Sequence, residues 1–352
     1  MDVSPTLALR CARGIGAAGY HRAVAEAGGA DSALQALPGA VRDEAWDRAR
    51  SVDTVARRVG IAVLEIGSAG YPQALHALED PPPVLFAIGR HELLDRPAVA
   101  VVGTRDATAY GVRVTTRLAS GASRSAVTVV SGLARGVDAH AHRSALEGAG
   151  GTIAVLGTGV DVPYPLENRA LHESVCRRGL VVAEALPGAR AHRGSFPQRN
   201  RIIAALADVV LVTEAGVKSG ALITATIAAA INRLHAAVPG PIDIPTSAGS
   251  NQLLRDGAQV VTSVEDLLGL VALTPRGRGA RPAATLTSAT PANDALSTDE
   301  RRILEILAAG PRLPDELLAA SSLAPAALAA ALATLSVLGH AEVDAGGMVR
   351  RA

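Results

Sequence analysis

Residues 98–132 read AVAVVGTRDATAYGVRVTTRLASGASRSAVTVVSG and contain the pattern from which the fold class is predicted. Two short apolar runs, AVAVVG and VTVVSG, flank a segment long enough for one helix. The same alternation continues with TIAVLG at 152–157, LVVAEA at 180–185, DVVLVTEA at 208–215 and HAAVPG at 235–240. Apolar strands separated by helices are typical of a parallel sheet covered on both faces. We therefore predict an α/β fold, a Rossmann-like doubly wound parallel sheet, over residues 67–270.

Smaller regions flank this predicted sheet. Residues 1–66 show helical spacing of apolar positions and predict a helical domain of the sterile-alpha-motif or helix-hairpin-helix type. Its GIG at 14–16 is either a plain turn or a turn whose backbone N–H groups meet a phosphate. Residues 271–296 are rich in proline, glycine, serine and threonine and predict a flexible linker.

The C-terminal residues, 297–352, give three helical patterns followed by two short strand-like runs, HAEVDAGGMVRRA. This order predicts a winged helix. Its third helix carries no arginine or lysine between Ser321 and Gly339, although DNA-reading helices contact phosphates and base edges. We therefore expect this small domain to contact protein rather than DNA.

Composition excludes several classes of protein. The 352 residues carry 34 basic and 33 acidic groups, so any polyanion must be met by a local patch. Two cysteines, Cys11 and Cys176, are too few for a disulfide framework or a zinc cluster. The N-terminal MDVSPTLALR lacks the pattern of a signal peptide, and no apolar run is long enough to span a membrane. We expect a cytoplasmic protein without membrane insertion.

Cations follow several of the predicted strands, at the edge where parallel sheets bind ligands. GTRDATAYG, from 103, places Arg105 at a predicted helix start, and SGLARGVDAHAH, from 131, places Arg135 between two glycines. Backbone N–H groups, a helix dipole and a guanidinium can together hold a phosphate. An ordinary turn with a surface arginine is the alternative. Asp138, His140 and His142 do not have the spacing of a metal site, and we predict no metal and no cofactor.

The segment LPGARAHRGSFPQRNR, residues 186–201, contains four arginines, no acidic residue and Phe196, one of only two phenylalanines. Basic residues interleaved with an aromatic suit single-stranded nucleic acid, because phosphates need cations and exposed bases stack on a ring. The alternative is a loop whose Phe196 lies in the core. Lys218, the only lysine of the chain, follows the strand DVVLVTEA. Its compact ammonium can approach a single phosphate beside Gly220.

Six ordered blocks resemble the motifs of the DNA-processing protein A (DprA, or Smf) family. They are GTR at 103, SGLARGVDAHAH at 131, GTIAVLGTGVDVPYPLEN at 151, FPQRNR at 196, EAGVKSG at 214 and VPGPIDIPTSAGSN at 238. The resemblance covers about residues 70–268. Thr104 stands where the family usually has serine and keeps the hydroxyl, and Ala183 stands where a serine is common.

The resemblance implies a non-catalytic protein that binds single-stranded DNA, forms a homodimer and loads the RecA recombinase, with single-strand-binding protein as a further partner. It implies natural transformation and homologous recombination as the setting. The family's pocket residues map onto Arg105, Phe196, Arg199 and Lys218. With their neighbours they give the predicted DNA-binding set: Gly103, Thr104, Arg105, Ser131, Gly132, Arg135, Phe196, Arg199, Asn200, Arg201, Lys218, Ser219, Gly220 and Asn251.

The rival hypothesis is a Rossmann-like nucleotide-binding enzyme of the lonely-guy phosphoribohydrolase type. Such enzymes carry a PGGxGTxxE stretch whose glycines hold phosphate and whose glutamate acts at the sugar. This chain has EAGVKSGALIT in the corresponding place. Glu184 and Glu214 stand apart from other acidic residues, so the sequence shows no acid pair for two-metal chemistry. Release of a free base from a nucleotide would distinguish this enzyme from a DNA-binding protein.

Overall fold

The computed structural model describes residues 3–192, 194–279, 297–308, 310–337, 340–343 and 348–351. The chain divides into two compact units, Met1–Arg281 and Pro282–Ala352. In the first unit the strands are β1 Ala62–Glu65, β2 Val84–Gly89, β3 Ala98–Val102, β4 Thr128–Ser131, β5 Thr152–Leu156, β6 Leu180–Ala183, β7 Val209–Val212, β8 Leu234–Ala237 and β9 Gln259–Val260.

The helices of the first unit precede the sheet, connect its strands and follow it. They are α1 Pro5–Cys11, α2 Ala17–Ala27, α3 Ala30–Gln35, α4 Gly39–Val59, α5 Ala109–Arg124, α6 Val137–Ala145, α7 Arg169–Arg178, α8 Ser195–Leu206, α9 Gly220–Ala230, α10 Ala248–Arg255, α11 Val264–Ala272 and α12 Pro275–Gly279.

The nine strands form one sheet in the order β1-β2-β6-β5-β4-β3-β7-β8-β9. The six predicted strands are β3 to β8, and all of them pair in parallel, which confirms the doubly wound fold. The structure adds an antiparallel pair, β1 and β2, at one edge and the short β9 at the other. Strands β4 to β6 lie on one side of β3 and strands β7 to β9 lie on the other, so the winding direction reverses between β3 and β7. This reversal leaves a crevice at the carboxyl ends of the strands.

The N-terminal helices share a hydrophobic core with the sheet. Leu9 and Leu34 of the helices are fully buried in one cluster with Phe86 of β2 and Val181 of β6. The predicted boundary at residue 66 therefore falls within a continuous core, and β1 precedes it. A small helical segment gains more buried apolar area on a sheet face than it can bury alone. Helical spacing predicted the helices but gave no sign of this shared core.

The predicted linker begins too early. Residue 271 lies in α11, and α12 follows it directly. Arg276 of α12 donates to the buried Asp208 carboxylate at 2.8 Å and to the Leu206 carbonyl oxygen at 2.6 Å, which fastens this segment to the first unit. Residues 280–296, the rest of the predicted linker, lie outside the described residues.

The second unit has the order of elements of a winged helix. Helices α13 Thr298–Leu307, α14 Pro314–Ser321 and α15 Pro325–Val337 precede the antiparallel pair β10 Ala341–Val343 and β11 Val349–Arg351. Its core is formed by Ile303, Leu307, Leu317, Leu335 and Val349, all almost fully buried. The predicted three helices and terminal hairpin are thus confirmed. Within the part of the chain that the structure describes, no helix is long and apolar enough to cross a membrane.

Candidate nucleic-acid interface

A cleft of about 700 Å³ opens at the strand ends where the winding of the sheet reverses. We call it the strand-edge cleft. The turn after β3, the turn after β7 and the first turns of α8 and α9 form its walls. Nine of the predicted binding residues line it: Gly103, Thr104, Arg105, Phe196, Arg199, Asn200, Lys218, Ser219 and Gly220. The fold thus brings together three motifs that are separated by up to about a hundred residues in sequence.

Two cations of the strand-edge cleft, Arg105 and Lys218, are exposed to solvent. The Arg105 and Lys218 side chains belong to exposed residues and make no ion pair or hydrogen bond with other residues of the described ranges. Ser219 caps α9 by accepting from the Ala221 N–H at 3.3 Å, so the helix N-terminus begins beside Lys218. An ammonium and a helix N-terminus side by side favour an anion. A Cβ at Gly220 would meet nothing within 4 Å, so the structure shows open space here.

The turn that carries Arg105 is held by Glu214, at the end of the neighbouring β7. The Thr104 N–H donates to the Glu214 carbonyl oxygen at 2.7 Å, and the Thr108 N–H donates to Glu214 Oε2 at 2.9 Å. Thr246 donates to Oε1 of the same carboxylate at 2.6 Å. A Cβ at Gly103 would collide with Val137 and with the Glu214 carbonyl. Glu214 is therefore a buried structural group that fixes the position of Arg105.

Phe196 does not lie in the core. It is half-buried at the start of α8, and its ring contacts a cation and a second aromatic ring. The Arg105 guanidinium carbon lies 5.5 Å from the ring centroid, and the Tyr164 ring lies 5.2 Å away at an interplanar angle of 37°. Tyr164 belongs to the block GTIAVLGTGVDVPYPLEN at 151, but it was not among the predicted binding residues. Its pairing with Phe196 depends on the packing of the loop after β5 against α8.

Arg199 is buried, in contrast to the other two cations of the cleft. It is 6% exposed, and its Nη1 donates to the carbonyl oxygens of Gly132 and Val155, at the ends of β4 and β5. Burial lowers the pKa of Arg199, and the nearby Asp138 opposes this shift. A Cβ at Gly132 would collide with the guanidinium. Arg199 thus ties α8 to β4 and β5 by hydrogen bonds. It belongs to the wall of the cleft but is almost fully buried there.

Other predicted residues lie away from the cleft. Arg201 forms an ion pair with Glu184 at 2.6 Å and donates to the Asp80 carbonyl oxygen at 2.7 Å. Ser131 is buried and donates to the Val101 carbonyl oxygen at 2.7 Å. The Asn251 amide exchanges two 3.0 Å hydrogen bonds with the Gly240 backbone. These side chains hold the fold around the site.

Phe196 also lines a smaller cleft of about 200 Å³. We call it the tyrosine cleft, because Tyr164 lines it together with Arg135, Glu167 and Phe196. Arg135 was predicted from the SGLARG motif, and it is exposed there without a hydrogen-bond or ion-pair partner in the described ranges. Arg105 and Arg199 line both clefts, so the two share a wall.

The acidic and imidazole groups after β4 are structural. Asp138 is 6% exposed and accepts from the Gly132 and Ala134 N–H groups, and burial raises its pKa while Arg199 opposes this effect. His142 is fully buried, with its Nδ1 2.7 Å from the Thr152 hydroxyl, and its Nε2 accepts from the Leu133 N–H at 3.2 Å. Burial and nearby arginines lower the pKa of His142 to about 3.

The buried His142 predicts a loss of stability in acid. Because its pKa falls from an ordinary 6.5 to about 3 on folding, the unfolded chain binds an extra proton between these values. The neutral His142 therefore makes its full contribution to the free energy of unfolding above pH 6.5, and this contribution is lost as the pH falls from 6.5 toward 3. We expect about 2 kcal/mol less stability from this group at about pH 5 than at about pH 7.5.

The measurement is urea unfolding of the wild type and His142→Gln at both pH values. Asp138, whose raised pKa acts in the opposite direction, is present in both proteins and cancels in the difference. A wild type with the steeper pH dependence supports the neutral buried imidazole. Equal pH dependence in the two proteins would contradict it.

Comparisons with known proteins agree with this architecture. The family profile described as DNA recombination-mediator protein A matches residues 62–272, and the DprA winged helix domain matches residues 287–347. The putative DNA processing protein DprA of Mycobacterium tuberculosis is 43% identical over 270 residues, which are 75% of this chain and 68% of that protein. Protein Smf of Synechocystis is 37% identical over 312 residues, 80% of this chain and 78% of that protein.

Two solved structures have the same fold. The X-ray structure of DNA processing protein A from Streptococcus pneumoniae aligns with a TM-score of 0.66 and 32% identity, covering 76% of this chain and 98% of that one. DNA processing protein A from Helicobacter pylori, studied for its single-stranded DNA binding mode, aligns with a TM-score of 0.54 and 33% identity, covering 59% of this chain and 93% of that one. The chain therefore belongs to the DNA recombination-mediator protein A family, the DprA or Smf proteins.

Proposed function

We propose that the protein binds single-stranded DNA in the strand-edge cleft and acts without catalysis as a recombination mediator. The observation that carries this proposal is that Arg105 and Lys218 both line the strand-edge cleft and make no ion pair or hydrogen bond within the described ranges, while the half-buried Phe196 ring lies beside Arg105. The relative from Helicobacter pylori, whose structure was solved to describe how it binds single-stranded DNA, supports the same ligand here.

In the proposed complex, phosphates of the strand lie against Arg105, Lys218 and the N-terminus of α9. These groups are a guanidinium, an ammonium and a row of backbone N–H groups, which together suit a polyanion. A base stacks on Phe196, where Arg105 now lies over the ring at 5.5 Å and moves aside to a phosphate. Arg199 acts as a positioning residue, because its hydrogen bonds go to backbone carbonyls.

The absence of catalysis is part of the proposal. Of the residues described around the strand-edge cleft, the carboxylates are Asp106, which is exposed, and Asp138, which is buried. Glu214 uses both carboxylate oxygens to hold Thr108 and Thr246. The rival phosphoribohydrolases use a glutamate at the sugar, and the Glu214 carboxylate at this edge of the sheet is buried and already engaged. This arrangement favours binding over the rival phosphoribohydrolase activity.

The partners belong to the proposal as well. We propose a cytoplasmic homodimer that passes single-stranded DNA to RecA in natural transformation and homologous recombination, with single-strand-binding protein as a further contact. Helix α15 contains no arginine or lysine, which supports a protein-contacting role for the winged helix. Removing residues 271–352 would also remove α12, whose Arg276 pairs with the buried Asp208. A deletion that begins at residue 282 is therefore the better test of that role.

We expect Lys218→Ala to lower the affinity for a single-stranded oligonucleotide about fivefold to tenfold, because one charge-assisted phosphate contact is lost. The log-log slope of affinity against salt should flatten by about 0.7, the value for one phosphate of a single strand. Fluorescence anisotropy of a labelled oligothymidine across a salt series measures both quantities.

The matched control is Arg58→Ala. Arg58 is an exposed cation at the end of α4 that lines neither cleft, so its removal makes the same change in net charge. Lys218→Arg should retain most of the affinity, because residue 218 is exposed and a Cβ at the nearby Gly220 would meet no atom within 4 Å. Equal effects of Lys218→Ala and Arg58→Ala would remove Lys218 from the proposed site.

A further inference from the structure

The tyrosine cleft contains a combination of groups that phosphate binding does not explain. Tyr164 is 43% exposed and presents an aromatic ring beside Phe196. Glu167 and Arg135 are both exposed, and neither has an ion-pair or hydrogen-bond partner in the ranges that the structure describes. A free carboxylate repels phosphate but accepts hydrogen bonds from the amino groups of bases.

The fold holds Glu167 in this position. Asn168, the next residue, is 5% exposed, and its Nδ2 donates to the carbonyl oxygens of Leu133 at 3.0 Å and Ala134 at 3.2 Å. These two carbonyls belong to the loop that also carries Arg135. One buried amide therefore ties the segment with the carboxylate to the segment with the guanidinium. The two charged side chains face the same small cleft from opposite segments.

We propose that the tyrosine cleft binds one nucleobase of the DNA strand and selects a base that carries an amino group. The base stacks on Tyr164, its amino group donates to the Glu167 carboxylate, and an acceptor of its ring or carbonyl receives a hydrogen bond from Arg135. This inference rests on the proposed binding of single-stranded DNA, and it adds a base preference to that function.

The chemistry of the bases gives the direction of the preference. Carboxylates accept hydrogen bonds from the amino group of cytosine, and arginine donates to ring and carbonyl acceptors such as those of guanine. Thymine has carbonyl oxygens on both sides of its single imino N–H, and these repel a carboxylate. These groups lie on the Watson–Crick edge of the base, which is unpaired in a single strand and open to side chains. Cytosine is therefore preferred over thymine at this position.

The dimensions of the site agree with one base. The tyrosine cleft has a volume of about 200 Å³, less than a third of the strand-edge cleft. Phe196 and Arg105 line both clefts, so a strand whose phosphates follow the larger one can turn a base into the smaller one across a shared wall.

The test compares oligodeoxycytidine and oligothymidine of about 16 nucleotides, at one salt concentration, by anisotropy with the full-length protein. The readout is the ratio of the two affinities, because intrinsic differences between the polymers are the same for every variant. Glu167→Ala should reduce the cytosine-to-thymine ratio about fivefold relative to the wild type, the lower end for a good side chain–base pair. Its affinity for oligothymidine should rise, since a negative charge is removed.

The matched control is Glu173→Ala, which removes an exposed carboxylate from α7 outside both clefts. It should leave the ratio at the wild-type value. Tyr164→Leu should weaken both polymers, because the stacking surface is lost. Equal changes of both polymers in Glu167→Ala would overturn the base-reading role while single-strand binding stands. Failure of the folded wild type to bind either polymer would overturn the proposed function and this inference together.

Discussion

Replacing Arg199 by alanine is expected to lower the free energy of unfolding by about 3–5 kcal/mol, the largest effect on stability among these predictions. The guanidinium is 6% exposed and donates to two carbonyl oxygens, at the ends of β4 and β5. Alanine leaves both carbonyls without their donor. It also leaves Asp138, which is buried, without the nearby positive charge.

Urea unfolding of the wild type and Arg199→Ala measures this loss. The matched control is Gln198→Ala, an exposed neighbour on the same helix that should change stability by less than about 0.5 kcal/mol. Adding Asp138→Asn to Arg199→Ala removes the uncompensated carboxylate and should recover part of the stability. A destabilisation of Arg199→Ala no larger than that of the control would mean that Arg199 is not the structural cation that the geometry indicates.

This result would also change how a loss of DNA binding in Arg199 variants is interpreted. Phe196 precedes Arg199 by one helical turn, and both line the strand-edge cleft. A substitution that destabilises α8 would displace the Phe196 ring without removing any phosphate contact. Binding experiments on Arg199 therefore need a stability measurement beside them, whereas Lys218 is exposed and can be tested directly.

The sheet, and the edge at which the candidate site lies, could be predicted because both depend on local patterns. Apolar runs identified β3 to β8, and the rule that ligands bind at strand ends selected Arg105 and Lys218. The antiparallel strands β1 and β2 were not predicted from the sequence. The run VLFAIG of β2 follows three prolines, and β1 has only four residues directly after a long helix, so neither fits a repeating strand-helix pattern.

The roles of individual arginines could not be predicted in the same way. Arginine is rarely buried, so nothing in FPQRNR distinguishes the buried Arg199 from a surface cation. Arg201 lies two residues further along α8 and therefore points to a different face, where Glu184 forms its ion pair. Helical geometry alone predicts that Arg201 and Phe196 lie on different faces of α8. Only the folded structure supplies the carboxylate partner.

Tyr164 and Glu167 show a different limit of sequence reasoning. Their motif follows β5, whereas Phe196 lies on α8 and Arg135 follows β4. The tyrosine cleft exists only because these segments meet at one edge of the sheet. A single sequence can predict which edge carries ligands. It cannot predict which loops approach each other closely enough to form a second cleft.

The second large effect expected is a preference for single-stranded over duplex DNA. Stacking of one base on an aromatic side chain contributes about 1–3 kcal/mol, and the bases of a duplex are already stacked on each other. The phosphate contacts of Arg105 and Lys218 are common to both ligands. We therefore expect a roughly tenfold to hundredfold preference for the single strand, with affinity for both ligands falling as salt rises.

Single-stranded DNA binding in the strand-edge cleft is best tested by competition between a single-stranded oligonucleotide and its own duplex for the wild-type protein, measured by anisotropy across a salt series. We expect the unlabelled single strand to displace the labelled one at a far lower concentration than the duplex does, and Lys218→Ala to weaken the binding of both. Equal displacement by single strand and duplex, or no binding by the folded protein, would contradict the proposal of a single-stranded DNA site in the strand-edge cleft.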